Sequence, residues 1–255
     1  MTEARAAIVV SDLHRHFGGV VAVADASFSV EEGVITGLIG PNGAGKSTVL
    51  GSIAGAIRPT GGSILYEGKE IAGLPAYRVA RLGITRTFQI SSEFPRLSVM
   101  ENLLVAVTRC KGDRFWEAVR RPTVWRKAEA EHVERARRLL ADFDMTHMES
   151  SLAGELSGGQ KRLLELMRAL MMEPHVLLLD EPFAGVNPRL AGEIQQQLLE
   201  LRRNGLTMLM IEHELGIIER MCDHVVVMAQ GRVIAEGTMG DVARRGEVLD
   251  AYLVG

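Results

Sequence analysis

Hydrophobic residues are spaced in three different ways along this chain, and each spacing predicts a different kind of element. From Ala7 to Gly40, "AIVVSDLHRHFGGVVAVADASFSVEEGVITGLIG", short β-branched runs are broken by Gly-Gly and Glu-Glu-Gly, a strand-and-turn pattern. "VITGLIG" is a buried-strand run that leads straight into a glycine-rich loop. "KSTVLGSIAGAI" then has helical spacing, and "GGSILYEGKEI" reads as a hairpin.

From about residue 90 to about 170 the apolar positions recur every three or four residues. "SVMENLLVAV" and "WRKAEAEHVERARRLLADF" are predicted as helices. After Glu173-Pro174 the texture changes again: strand "HVLLLD", helix "RLAGEIQQQLLELRRN", strand "LTMLMIE", helix "LGIIERM", strand "HVVVMA". Strands alternating with helices argue for a parallel sheet covered by helices. "AQGRVIAEGT" reads as a closing hairpin and "DVARRGEVLDAYLVG" as a short amphipathic helix. The predicted organisation is one α/β domain. Residues 1–89 and 171–255 form a β-containing core, and 90–170 form an inserted helical subdomain.

Composition narrows the function classes. The 255 residues are 47% hydrophobic and 24% charged, ordinary for a globular domain, and the formal charge of −3 gives no general pull toward nucleic acid. Basic residues outnumber acidic ones between Arg109 and Arg138, but aromatic interleaving is sparse, so a solvated helical face is expected there. Two cysteines are too few for a disulfide framework and fit a reducing compartment. The first residues lack the layout of a signal peptide, and no apolar run reaches the length of a membrane span, so any membrane role is expected to be peripheral.

Two stretches carry chemistry on their own. "GPNGAGKST", Gly40 to Thr48, fits G-x-x-x-x-G-K-[ST] with a strand before it and a helix after it. Glycines let the backbone N–H groups of Asn42, Gly43, Ala44, Gly45 and their neighbours approach phosphates. Lys46 brings a charge to the β- and γ-phosphates, and Ser47 offers a hydroxyl to Mg2+, with Thr48 next to it. "HVLLLDEP" is an apolar strand ending in two carboxylates: Asp180 suits an Mg2+ ligand, and Glu181 is placed to orient and polarise a water. A third stretch poses a question. "LSGGQ", Leu156 to Gln160, opens a helix with a serine and two glycines, a second phosphate-binding helix start in a chain that already has a complete cradle.

The phosphate loop, Gln89 in "TRTFQIS", "LSGGQ", "LLLDEP" and His213 in "MIEHE" stand in an order and spacing that resembles the ATP-binding subunits of ABC transporters, over essentially the whole chain. The resemblance implies a P-loop NTPase fold of ABC type. It would have a mostly parallel core sheet with helices, an N-terminal antiparallel β-subdomain and an inserted α-helical subdomain. It also implies that two chains pack head to tail, each ATP lying between one chain's glycine loop and the other's LSGGQ. Ser157, Gly158, Gly159 and Gln160 would then bind the partner's nucleotide. The remaining roles implied are Gln89 as the glutamine that reaches Mg2+ or the water, His213 as a γ-phosphate contact, and Phe17 as an aromatic that stacks on adenine. Phe17 equally suits a core position on its own pattern.

Asn187 in "AGVNP" departs from the aspartate many members carry. The form "EPAAGLNP" is nonetheless usual in the branched-chain amino-acid importer ATPases of the LivG type. This sequence resembles that group further in "RTFQ", "ENLLVA", "QKRLLE" and "VIAEGT…AYLVG". The implied cofactors are ATP and Mg2+. The implied partners are membrane-spanning permease subunits, a second ATPase subunit of identical or related sequence and, indirectly, a solute-binding protein, with no nucleic acid. The implied location is the cytoplasmic face of the inner (plasma) membrane. A competing expectation is a soluble ABC ATPase acting as an assembly module, as in iron–sulfur assembly. The long coiled-coil or zinc insertions of DNA-repair members and the paired ATPase units of translation members are absent from this sequence.

Overall fold

The structure, a computed structural model, describes residues 5–87, 93–107, 122–248 and 251. They divide into two compact units, the first drawn from Met1–Thr87, Pro174–Pro182 and Leu198–Gly255, the second from Phe88–Glu173 and Phe183–Gln197.

The first unit is built on a sheet in the order β5-β4-β1-β2-β10-β9-β3-β8-β7-β6. Strands β3 (Ile35–Ile39), β6 (Ile84–Arg86), β7 (Val176–Asp180), β8 (Thr207–Ile211) and β9 (His224–Ala229) are mutually parallel. Every residue of β3, β7 and β8 is buried, which is why these strands read as unbroken apolar runs and not as alternation. Strands β1 (Ala6–Phe17), β2 (Val20–Glu31), β4 (Gly61–Tyr66) and β5 (Lys69–Glu70) form the antiparallel part. β10 (Arg232–Gly237) pairs antiparallel with β9 and meets β2 only at Arg232 and Asp25 among the described pairings. The hairpin from β9 to β10 turns at Gln230 (φ 48°) and Gly231 (φ 77°), the left-handed pair that a two-residue hairpin requires.

Helix α1 (Lys46–Ile53) follows β3 and stops earlier than its helical spacing suggests. Gly55 takes φ 71° just past it, and a side chain there would meet the Leu74 carbonyl oxygen at 2.5 Å. This unit also contains α2 (Ala76–Arg81). The core joins Leu38, Leu50, Ile53, Leu178, Leu209 and Val226, all almost fully buried.

The second unit holds α3 (Val99–Ala106), α4 (Pro122–Asp142) and α5 (Gly158–Met171), and in it Leu103, Leu140 and Leu164 are fully buried. Helices α3 and α5 each start on a reciprocal capping box, Ser98 with Glu101 and Ser157 with Gln160. Asn102 is fully buried and ties down the turn before α3, accepting from the Phe94 amide and donating to the Phe94, Leu97 and Ser98 carbonyls. Helix α6 (Pro188–Arg203) and, in the first unit, α7 (Leu215–Met221) lie where the alternation placed them.

The C-terminal reading needs correction. The chain from Asp241 is not one helix over its described part: α8 (Met239–Val242) starts two residues before the predicted stretch, on a Thr238–Asp241 capping box. It then breaks at Ala243-Arg244, and Arg245 donates to the Glu236 carbonyl.

Candidate active site

The glycine loop leaves β3 at Ile39 and enters α1 at Lys46. Gly40 (φ 142°) and Gly45 (φ 98°) hold conformations closed to other residues. A Cβ at Gly40 would lie 2.0 Å from the Met228 carbonyl oxygen, and one at Gly45 would lie 2.4 Å from that of Ala22. The loop is thus a close approach of backbone to backbone that only glycine permits. Gly45 is the N-cap of α1 and supplies no side-chain acceptor. The first amides of the helix, at Lys46, Ser47 and Thr48, therefore have no side-chain cap, at the positive end of the helix dipole. Asn42, Gly43 and Ser47 are exposed, while Ala44 and Lys46 are buried.

Lys46 donates to the Gly40 carbonyl at 2.7 Å and to that of Pro41 at 2.9 Å, so its ammonium is held across the loop it serves. Burial lowers its pKa below the usual lysine range, and the charges of Glu181 and Asp180 pull the other way without overcoming it. Both carboxylates are therefore close enough to Lys46 to act on its charge.

Asp180 is the last residue of β7 and is fully buried; the guanidinium of Arg86 meets it, Nη2 to Oδ2, at 2.6 Å. Glu181 follows at φ 48°, a left-handed conformation unusual for a non-glycine residue and costing on the order of 1–3 kcal/mol. Its amide donates to the Ile211 carbonyl at 3.0 Å. Because Asp180 pairs with Ile211 across the parallel strands, the residues just beyond both strand tips come together. There His213 Nε2 lies 2.7 Å from Glu181 Oε1. Sequence reading named both residues without pairing them, since the contact depends on strand register.

Phe17 ends β1 and is 44% exposed, so it is not a core residue. The Arg15 guanidinium covers one face of its ring, 4.3 Å from the centroid. Gln89 lies outside the described residues. In the second unit, Ser157 caps α5: its Oγ accepts from the Gln160 amide, and Gln160 Oε1 accepts from the Ser157 amide at 2.9 Å. Gln160 is thus turned back onto its own helix start, and the exposed backbone of Gly158 is what remains open there. Asn187 Oδ1 accepts from the Leu190 amide at 3.0 Å and so caps the start of α6, a task asparagine and aspartate perform about equally.

Arg86 was missed in the sequence reading; the available signal was an arginine within the short strand of "GITRT". The donor set for Mg2+ fits: the Ser47 hydroxyl and the Asp180 carboxylate are the hard oxygens that ion takes. The glycine cradle that a Cβ would fill is shaped for phosphate.

The model of the ABC transporter family matches residues 23–184. The chain is 41% identical over 242 residues to a probable branched-chain amino acid transport ATP-binding protein LivG of Archaeoglobus fulgidus, covering 95% of this chain and 93% of that one. It is 39% identical over 250 residues to the high-affinity branched-chain amino acid transport ATP-binding protein BraF of Pseudomonas aeruginosa, covering 98% of each. Among solved structures it is similar to the ADP conformation of an ATP-binding cassette of an ABC transporter, with a TM-score of 0.84 and 35% identity. That match covers 98% of this chain and 100% of the other.

Proposed function

This chain belongs to the ABC transporter family as one of its ATP-binding cassettes, and from that premise we propose that it hydrolyses ATP to drive import of branched-chain amino acids through partner membrane subunits. The observation that carries the chemistry is the Glu181–His213 pair, held at the tips of two parallel strands within electrostatic reach of Lys46.

The chain's residues divide the work. The uncapped amides of α1 and the ammonium of Lys46 bind the phosphates and meet charge that builds on the γ-phosphate oxygens. Ser47 and Asp180 would hold Mg2+, with Gln89 as a further proposed ligand; when bound, Mg2+ would neutralise charge on the β- and γ-phosphate oxygens. Glu181 orients a water and takes its proton on a carboxylate oxygen, while His213 fixes the rotamer of Glu181. Phe17 offers the ring face not covered by Arg15 to adenine. Ser157, Gly158 and Gly159 of a second chain complete the site, so that hydrolysis is tied to closure of a head-to-tail dimer. Gln160 serves that helix start as its cap.

Among the described residues no helix is long and apolar enough to cross a membrane. The proposed setting is the cytoplasmic face of the inner membrane, beside permease subunits that receive solute from a separate binding protein. Phe94 is exposed, anchored through its backbone by Asn102 and overlaid by the Arg168 guanidinium at 5.3 Å. That face is the proposed seat for a helix of the permease.

Glu181→Gln and Lys46→Ala test the reading together. Glu181→Gln is expected to bind ATP normally with turnover lowered by about a thousandfold or more, and Lys46→Ala to lose nucleotide affinity. Undiminished steady-state ATPase in Glu181→Gln refutes the catalytic assignment.

A further inference from the structure

Arg86 and Asp180 are 94 residues apart in the chain, yet strand pairing brings them together. Arg86 lies opposite Leu178 in the parallel β6–β7 pair, and Asp180 is two residues further along the same face. Just past Arg86, the Thr87 amide donates to the Leu178 carbonyl at 3.0 Å, which fixes the backbone from which the guanidinium reaches forward.

A second observation concerns the space it occupies. Gly51 sits inside α1, where glycine is disfavoured by about 1 kcal/mol relative to alanine. A Cβ at that position would lie 2.8 Å from Ile57 Cδ1 and 3.3 Å from Arg86 Nη1. The guanidinium is therefore housed between the helix that opens with Lys46 and the strand that ends in Asp180, its side chain only 17% exposed.

We propose that Arg86 is a positioning residue that competes with the divalent cation for the carboxylate of Asp180, and so sets how tightly the metal is held beside bound nucleotide. This rests on the reading of Asp180 as a metal ligand. The physical basis is simple. A fully buried carboxylate needs a counter-charge, and Arg86 supplies one by direct contact while Lys46 acts at longer range. The contact that compensates Asp180 in the absence of metal also places a cation next to any divalent ion that binds there, and the two repel.

The test uses the full chain with a non-hydrolysable ATP analogue and Mn2+ as a spectroscopic substitute for Mg2+, titrated by electron paramagnetic resonance. Arg86→Gln is expected to bind Mn2+ on the order of tenfold more tightly than the wild type. Its melting temperature without divalent ions is expected to fall by on the order of 10 °C and to recover when nucleotide and Mn2+ are saturating. An arginine with a purely structural role would lower the melting temperature without tightening the metal, so unchanged or weaker Mn2+ affinity in Arg86→Gln overturns the proposal. Arg86→Lys keeps the charge but loses the planar guanidinium whose Nη2 reaches Asp180 Oδ2, and is expected to tighten Mn2+ by about threefold. It carries the test if Arg86→Gln does not fold, with wild-type or weaker affinity again the contrary result. Asp180→Asn separates the underlying reading: it must weaken Mn2+ binding, and wild-type affinity there removes Asp180 as a ligand whatever Arg86 does.

Discussion

His213 Nε2 stands 2.7 Å from Glu181 Oε1, although the two residues are 32 positions apart in the chain. The contact is a product of the Asp180–Ile211 register, which sets the tips of β7 and β8 side by side. It gives Glu181, whose backbone already sits at φ 48°, a fixed side-chain direction as well.

His213→Ala should therefore disturb catalysis more than binding. With its orienting partner gone, Glu181 samples several rotamers, and turnover is expected to fall by about a hundredfold or more while ATP affinity stays within about threefold. Pre-steady-state binding and steady-state ATPase on the same preparation check both halves. A large loss of affinity with normal turnover is the result that contradicts this role.

Ser157 has one observed role and one proposed role, and one substitution can separate them. As the N-cap of α5 it stabilises its own chain, and Ser157→Ala is expected to cost about 1 kcal/mol, a fall in melting temperature of about 2–4 °C. As a ligand to a second chain's nucleotide it matters only in the dimer. The variant should bind ATP as tightly as the wild type when monomeric, yet turn over at least tenfold more slowly. Calorimetric melting combined with ATPase against protein concentration resolves the two. ATPase activity equal to the wild type leaves only the cap.

How much of this was legible in the sequence depended on whether a feature is local. β7 and β8 announced themselves because strands buried on both faces have no polar positions to interrupt them. The glycine loop was legible because each of its residues does its work where it stands. The cap at Ser157 is likewise local, a Ser-x-x-Gln pattern in which Gln160 Oε1 accepts from the Ser157 amide. The pairings of Glu181 with His213 and Arg86 with Asp180 were not legible, because they depend on which strands lie side by side and in what register. Phe17 suited two settings equally on its pattern, and its exposure at the end of β1 removes the core one.

Cys222 gives a pH-dependent prediction. Burial, reinforced by the charges of Asp223 and Glu212, pushes its thiol from the ordinary 9.0 up to about 12. Between those values the unfolded chain releases a proton that the folded chain keeps. Its contribution to stability is thus intact below about pH 9 and declines as the pH rises toward about 12. Denaturant midpoints measured across that window should fall less steeply in Cys222→Ala than in the wild type. Some slope should remain, since burial and Glu67 push Tyr66 from 10.0 up to about 12 as well. Identical slopes in the two proteins contradict the assignment.

The central claim is that the two phosphate-binding helix starts of this chain, at Lys46 and at Ser157, are complementary half-sites for two different nucleotides, each completed by the other chain of a head-to-tail dimer. The mass in solution of Glu181→Gln, with and without ATP and with Mg2+ withheld or supplied, tests it most directly. The account predicts an ATP-dependent shift from monomer to dimer. A persistent monomer that still binds ATP contradicts it, and shows that this LSGGQ serves a different partner chain.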